Sequence, residues 1–118
     1  MYDVIVVGAR CGGSPTAMLL ARKGYRVLLV DRAAFPSDTV SAHLVTVPGV
    51  AALVRWGLAE QVAASGCPPI AQVTFGSGDL VLTGSVASID GVVGQYCVRR
   101  TVLDSILVGA AVEAGAEL

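Results

Sequence analysis

Asp3-Val4-Ile5-Val6-Val7-Gly8-Ala9-Arg10-Cys11-Gly12-Gly13, followed after a helix-like stretch by Arg26-Val27-Leu28-Leu29-Val30-Asp31-Arg32, decides the fold of this chain. Val4 to Val7 is an uninterrupted β-branched run, the pattern of a parallel strand buried on both faces. It passes through a glycine-rich turn into Ser14–Lys23, which has helical composition and is stopped by Gly24. Pro15 suits the first helical turn, where its missing N–H removes nothing that the helix needs. Arg26 to Val30 is a second apolar strand that ends in an acidic residue. The expected unit is βαβ with a glycine-rich first turn, which is the pattern of a dinucleotide site.

Each element of that pattern has a physical reason. Gly8 is expected to leave the strand in a turn too tight for a Cβ. Gly13 is expected to let the helix pack closely on the strand. Free N–H groups and the helix dipole at the start of the helix then favour an anion. Asp31 ends the second strand 18 residues beyond Gly13, where a carboxylate can accept hydrogen bonds from both ribose hydroxyls of an adenosine. The middle glycine of GxGxxG is Arg10 here. An arginine can add charge-assisted bonds to the phosphates, block the approach of the pyrophosphate, or simply be solvated at the turn; the sequence leaves these open.

The composition narrows the function classes. In 118 residues, 54% are hydrophobic and only 14% charged, and the net charge is −1. That balance supplies no basic field for nucleic acid, and no stretch reaches the roughly 18 apolar residues of a membrane span. The first strand starts at once, without the basic lead of a signal peptide. Cys11, Cys67 and Cys97 are odd in number and share no CxxC spacing, which argues against a disulfide framework or a metal site. A reducing cytoplasm is the default compartment. Such an apolar chain buries its strands on both faces or presents apolar surface to something outside it.

Beyond Asp31, residues 33–46 read as a loop with turn chemistry at Phe35-Pro36-Ser37-Asp38-Thr39. Short helices are expected over Pro48–Trp56, ended by Gly57, and over Leu58–Ala64. Ile70–Phe75 and Leu80–Thr83 read as strands of a β-hairpin over residues 70–83, joined by Gly76-Ser77-Gly78-Asp79. Residues 84–94 read as a loop, and Gln95–Val98 as a further short strand. Thr101-Val102-Leu103-Asp104 resembles a capping box opening a helix to about Ala114, with Leu103, Ile106, Leu107, Ala110 and Ala114 as its apolar stripe. After Gly115, Ala116-Glu117-Leu118 reads as the approach to another parallel strand. The fold class is therefore α/β, a Rossmann-like βαβ unit with a parallel sheet and the start of a hairpin insertion. Two strands, a helix and a hairpin do not complete a doubly wound sheet, so an incomplete domain, the first third of an enzyme, is expected.

These residues carry a family resemblance. The glycine turn, Asp31-Arg32, Phe35-Pro36-Ser37-Asp38-Thr39-Val40-Ser41, Pro48-Gly49-Val50 to Trp56-Gly57-Leu58, and Arg99-Arg100-Thr101-Val102-Leu103-Asp104 resemble, in order, the segments of flavoprotein monooxygenases and reductases of the para-hydroxybenzoate hydroxylase and geranylgeranyl reductase type. The βαβ unit alone suits FAD or NAD(P); the resemblance selects FAD, with NAD(P)H as a compatible electron donor. It makes residues 1–118 the N-terminal part of an FAD-binding domain and puts the hairpin on the substrate-domain side. It implies that Gly8, Ala9, Arg10, Cys11, Gly12 and Gly13 hold the pyrophosphate, Asp31 the adenosine ribose and Arg32 the adenine. Arg100, which keeps the RxxLD spacing, would reach the pyrophosphate or ribityl chain, and Ser41 to His43 would lie near the flavin ring. The implied function is the FAD-binding portion of a flavin-dependent oxidoreductase acting on a small organic or isoprenoid-type substrate.

Each residue also has a plainer role. Arg32 suits an ordinary exposed strand end, and Arg100 a surface ion pair with Asp104 at i,i+4. His43 is the only histidine and titrates near neutrality as a type, but no partner for it is visible. Cys11 at a helix N-terminus gains thiolate character, yet it fills a position that small residues take, and the inert role is preferred. Trp56 is most simply core, and Asp38 a local cap. No residue identifies itself as catalytic, and the oligomeric state is not legible. The alternatives to an oxidoreductase are a truncated, non-catalytic remnant and a small NAD(P)-binding module.

Overall fold

The computed structural model describes residues 1–118, which form two compact units, residues 1–40 with 99–118 and residues 41–98. In the first unit, strand β1 (Val4–Val7) pairs in parallel with β2 (Val27–Val30), Val4 opposite Val27 and Val7 opposite Val30. Helix α1 (Gly13–Arg22) makes the crossover between them. At the C-terminus a third parallel partner begins on the other edge of β2: the Leu29 N–H donates to the Glu117 carbonyl at 2.7 Å, and the Glu117 N–H donates to the Val27 carbonyl at 2.9 Å. The expected α/β unit with a parallel sheet is thus observed, together with the expected approach after Gly115.

One layer of helices covers one face of this sheet. Ala17 and Met18 of α1 and Leu103, Leu107, Val108, Ala110 and Ala111 of helix α4 (Arg100–Glu113) are buried, as are Val27 and Leu29. The apolar stripe of α4 is therefore rotated from the expected one: Val108 and Ala111 are inside, whereas Ile106 and Ala114 are only half-buried. Burial of β1 on both faces is not observed. Val4 and Val6 are half-buried, but Ile5 is 61% and Val7 83% exposed. Side chains alternate across a strand, and no second layer covers their face.

The strand ends are clipped by a reciprocal pair. The Asp3 N–H donates to the Arg26 carbonyl, while the Asp3 carboxylate accepts from the Arg26 N–H at 2.8 Å and from its guanidinium at 2.9 Å. The bonds from Arg26 hold the Asp3 carboxyl at about 2, down from 3.8. A depressed folded-state value means that the clip is fully present above the unfolded pKa and is lost as pH falls through the folded one. The wild-type unfolding temperature is therefore expected to fall more steeply between pH 3.8 and about pH 2 than that of Asp3→Asn. Parallel curves for the two proteins would exclude this source of acid sensitivity.

The second unit holds a three-stranded antiparallel sheet in the order β3 (Leu44–Val45), β7 (Gln95–Cys97), β4 (Pro69–Ile70). Helices α2 (Val47–Trp56) and α3 (Ala59–Ala64) supply its core, with Val47, Val50, Ala51, Leu53, Leu58 and Val62 buried. Gly57 ends α2 in the left-handed region, φ 79°, and Trp56 is half-buried. The strand at Leu44–Val45 falls inside the expected loop, since two residues are too few to show a period. The hairpin runs over β5 (Gln72–Ser77) and β6 (Leu80–Ser85), two residues further along than expected: the turn is only Gly78-Asp79, and Ile70 pairs with β7 instead. Its register puts Val73, Phe75, Leu80 and Leu82 on one face, all exposed. No helix of the chain is long and apolar enough to cross a membrane.

Candidate functional site

The turn after β1 is built as a glycine turn must be, with one change in the reason. Gly8 has φ 101°, and its N–H donates to the Val30 carbonyl at 2.7 Å. A Cβ there would meet nothing within 4 Å, so the left-handed backbone, not crowding, demands glycine. Crowding acts at Gly13 instead: a Cβ would sit 1.6 Å from the Gly8 carbonyl oxygen and 3.2 Å from Val6 Cγ1. The buried Ser14 hydroxyl donates to the Ala9 carbonyl at 2.8 Å and closes the turn from below. Gly12 is the N-cap of helix α1, with no side-chain cap and no acidic residue in the first turn. No side chain therefore offsets the helix dipole, which suits an anion.

Asp31 is tied to this turn. One carboxylate oxygen accepts the Ala9 N–H at 2.7 Å and the other the Ala33 N–H at 2.8 Å. These bonds, that from Ala33 first, lower its pKa, so it is a fixed anion beside the turn. Each oxygen keeps a further lone pair for an outside donor. Arg32 is exposed next to it.

Arg10 turns inward. Its Nη1 lies 2.6 Å from Asp104 Oδ2, its Nη2 donates to Ser37 Oγ at 2.9 Å, and its guanidinium sits 5.4 Å from the centre of the Phe35 ring. Asp104 is wholly buried and also accepts from Arg100 Nε at 2.9 Å. This bond raises the Arg100 pKa above its usual value. The expected i,i+4 ion pair exists, but its carboxylate is a buried hub. The expected capping box is not observed: α4 starts at Arg100, Arg99 takes the cap position, and no side chain caps it. Asp104 is drawn away by the two arginines.

Cys11 Sγ lies 3.4 Å from Asp104 Oδ1. Partial burial of the thiol pushes its pKa up despite the nearby Arg100. Asp38 accepts the Thr39 N–H at 2.9 Å and is a local cap.

The first unit therefore brings together the glycine turn, Asp31, Arg32 and Arg100. Ser41 and His43 belong to the second unit and form a turn of their own. The His43 N–H donates to Ser41 Oγ at 3.1 Å, and Nδ1 donates to the Ser41 carbonyl at 2.6 Å, with His43 at φ 60°. Sequence reasoning missed Asp104 as a site organiser, and with it Phe35 and Ser37. The RxxLD spacing announced the Arg100 pair, but nothing local announces a partner at position 10.

Comparison with known proteins bears on which dinucleotide such a turn serves. Menaquinone reductase of Mycolicibacterium smegmatis is 46% identical over 58 residues, 49% of this chain and 14% of that protein. Anhydrotetracycline hydroxylase OxyS from Streptomyces rimosus is 32% identical, with a TM-score of 0.81 over 99% of this chain and 24% of that one. The flavin-dependent brominase Bmp2 is 27% identical, with a TM-score of 0.85 over 98% of this chain and 28% of that one. The matched residues span 6% to 15% of the length of the curated relatives, and the chain spans under a third of the solved structures. The family model described as FAD binding domain matches residues 1–118 throughout. The chain therefore belongs to the FAD-binding domain family, and of the two dinucleotides that its βαβ unit could accept, FAD is its cofactor.

Proposed function

We propose that the first unit holds the ADP half of FAD. The backbone of Gly8, Ala9, Arg10, Cys11, Gly12 and Gly13 and the start of α1 receive the pyrophosphate. Asp31 accepts the ribose hydroxyls, Arg32 serves the adenine, and Arg100 serves the pyrophosphate or ribityl chain. The observation that carries this reading is the Ala9 N–H bonded to Asp31 at 2.7 Å, which locks the ribose acceptor to the phosphate turn. Three further features support the fit: Gly8 in the left-handed region, the close helix–strand contact at Gly13, and the uncapped α1 N-terminus.

When bound, FAD supplies the redox chemistry. This chain's residues bind and orient it: Asp31 fixes the adenosine end, and the turn fixes the diphosphate. The names of the relatives support reduction or hydroxylation of a small organic substrate, with NAD(P)H as electron donor, by the whole protein. The exposed apolar hairpin face supports placing residues 72–85 on the substrate-binding side. Three free cysteines support a reducing compartment, and we place the chain in the cytoplasm.

The test is the visible absorption spectrum of the purified chain after FAD is added and the sample is desalted. A retained flavin band is expected. A colourless wild-type chain would overturn the proposal that these residues suffice to hold FAD. Asp31→Ala removes a charge-assisted acceptor and is expected to weaken FAD by roughly 1.5–3 kcal/mol, about 10- to 150-fold in Kd. Unchanged affinity would take Asp31 out of the site.

A further inference from the structure

We propose that Arg10 is a positioning residue: its side chain braces the Phe35–Asp38 loop against α4 through Asp104 and sets the form of the phosphate turn before a nucleotide arrives. The proposal rests on the FAD reading only for what the turn receives. A phosphate-binding arginine presents two N–H groups as a free fork. Both Nη atoms of Arg10 are committed: Nη1 to Asp104 Oδ2 at 2.6 Å and the Ser37 carbonyl at 3.5 Å, Nη2 to Ser37 Oγ at 2.9 Å and the Asp38 carbonyl at 3.5 Å. The Phe35 ring lies against the guanidinium at 5.4 Å from its centre. Arg100 differs in using only Nε toward Asp104. The two arginines share one buried carboxylate, so one positive charge is left over, and the uncommitted Nη atoms belong to Arg100.

This accounts for an arginine at the middle position of GxGxxG. The side chain leaves the turn on the side of the loop and α4, so the position tolerates its bulk. In exchange it connects three segments: the turn at Arg10, the loop at Ser37 and α4 at Asp104. The 35–38 loop has no helix or strand of its own, so its order depends on such side-chain bonds.

Hydrogen–deuterium exchange of the nucleotide-free chain tests this directly. Arg10→Gly, which restores the family glycine, is expected to speed exchange of the 35–39 amides about tenfold while β1 and β2 amides stay protected. Arg10→Lys keeps the charge but cannot span Asp104 and Ser37 with a planar fork, and it should do the same if Arg10→Gly proves too unstable. Unchanged loop exchange in both variants would overturn the brace. Titration with ADP and with adenosine is a second arm. A brace predicts that Arg10→Gly weakens both by a similar factor, and a loss confined to ADP would make Arg10 a phosphate ligand instead. If the wild-type chain binds neither, the FAD reading fails, and the exchange experiment still decides the brace.

Discussion

Gly13→Ala is expected to lower the stability of the first unit by about 3 kcal/mol or more, and the unfolding temperature by roughly 10–15 °C. The new methyl would stand 1.6 Å from the Gly8 carbonyl oxygen and 2.8 Å from its carbon, both backbone atoms that cannot rotate aside. Relief requires α1 to move off β1 by more than an ångström. That would open the contact between Gly13 and Val6 and shift every N–H group at the start of the helix. The ligand site and the fold would therefore fail together, with FAD retention lost even at temperatures where helix content survives. Gly12→Ala is the internal control. A Cβ there meets nothing within 4 Å and the residue has no left-handed φ, so this variant should stay within about 1 kcal/mol of wild type. Circular-dichroism melts of the two variants separate the cases. Equal melting temperatures would mean that the helix–strand contact is looser than its geometry implies.

That contrast also indicates what could be read from the residues in order. Strand, turn, helix, strand and terminal acid are local patterns with short periods, so β1, α1, β2 and the role of Gly13 were legible. Gly8 was correctly singled out, but for crowding when its backbone angle is the cause. The short strand β3 was not legible, because its only pairing is with β7, some fifty residues away, and two residues carry no alternation. The capping box at Thr101–Asp104 misled for a related reason. Its spacing is local, but Asp104 is claimed by Arg10 across 94 residues. Likewise, burial of β1 on both faces follows from its composition, but only one layer covers it. Of the site, the glycine turn and Asp31 were legible, whereas the inward path of Arg10 depends on three segments meeting in space.

Asp104→Ala is the second large effect expected, a loss of about 3 kcal/mol. Asp104 is wholly buried and is the shared acceptor of Arg10 and Arg100, whose side chains are only 25% and 14% exposed. Removing the carboxylate leaves two guanidinium groups facing one another with no counter-charge, and neither can reach full hydration without pulling its segment out of place. Asp104→Asn is not a mild version, because its NH2 would point a donor at a donor. A double-mutant cycle with Arg10→Ala separates attraction from mere filling of space. If the ion pair stabilises the unit, Arg10→Ala should cost much less in the Asp104→Ala background than in wild type, with a coupling of about 1–3 kcal/mol. If Asp104 acts only by occupying volume, the two costs should add. Denaturant unfolding of the four proteins gives the coupling directly, and a value near zero would reduce the buried triad to packing and remove the electrostatic basis for the inward path of Arg10.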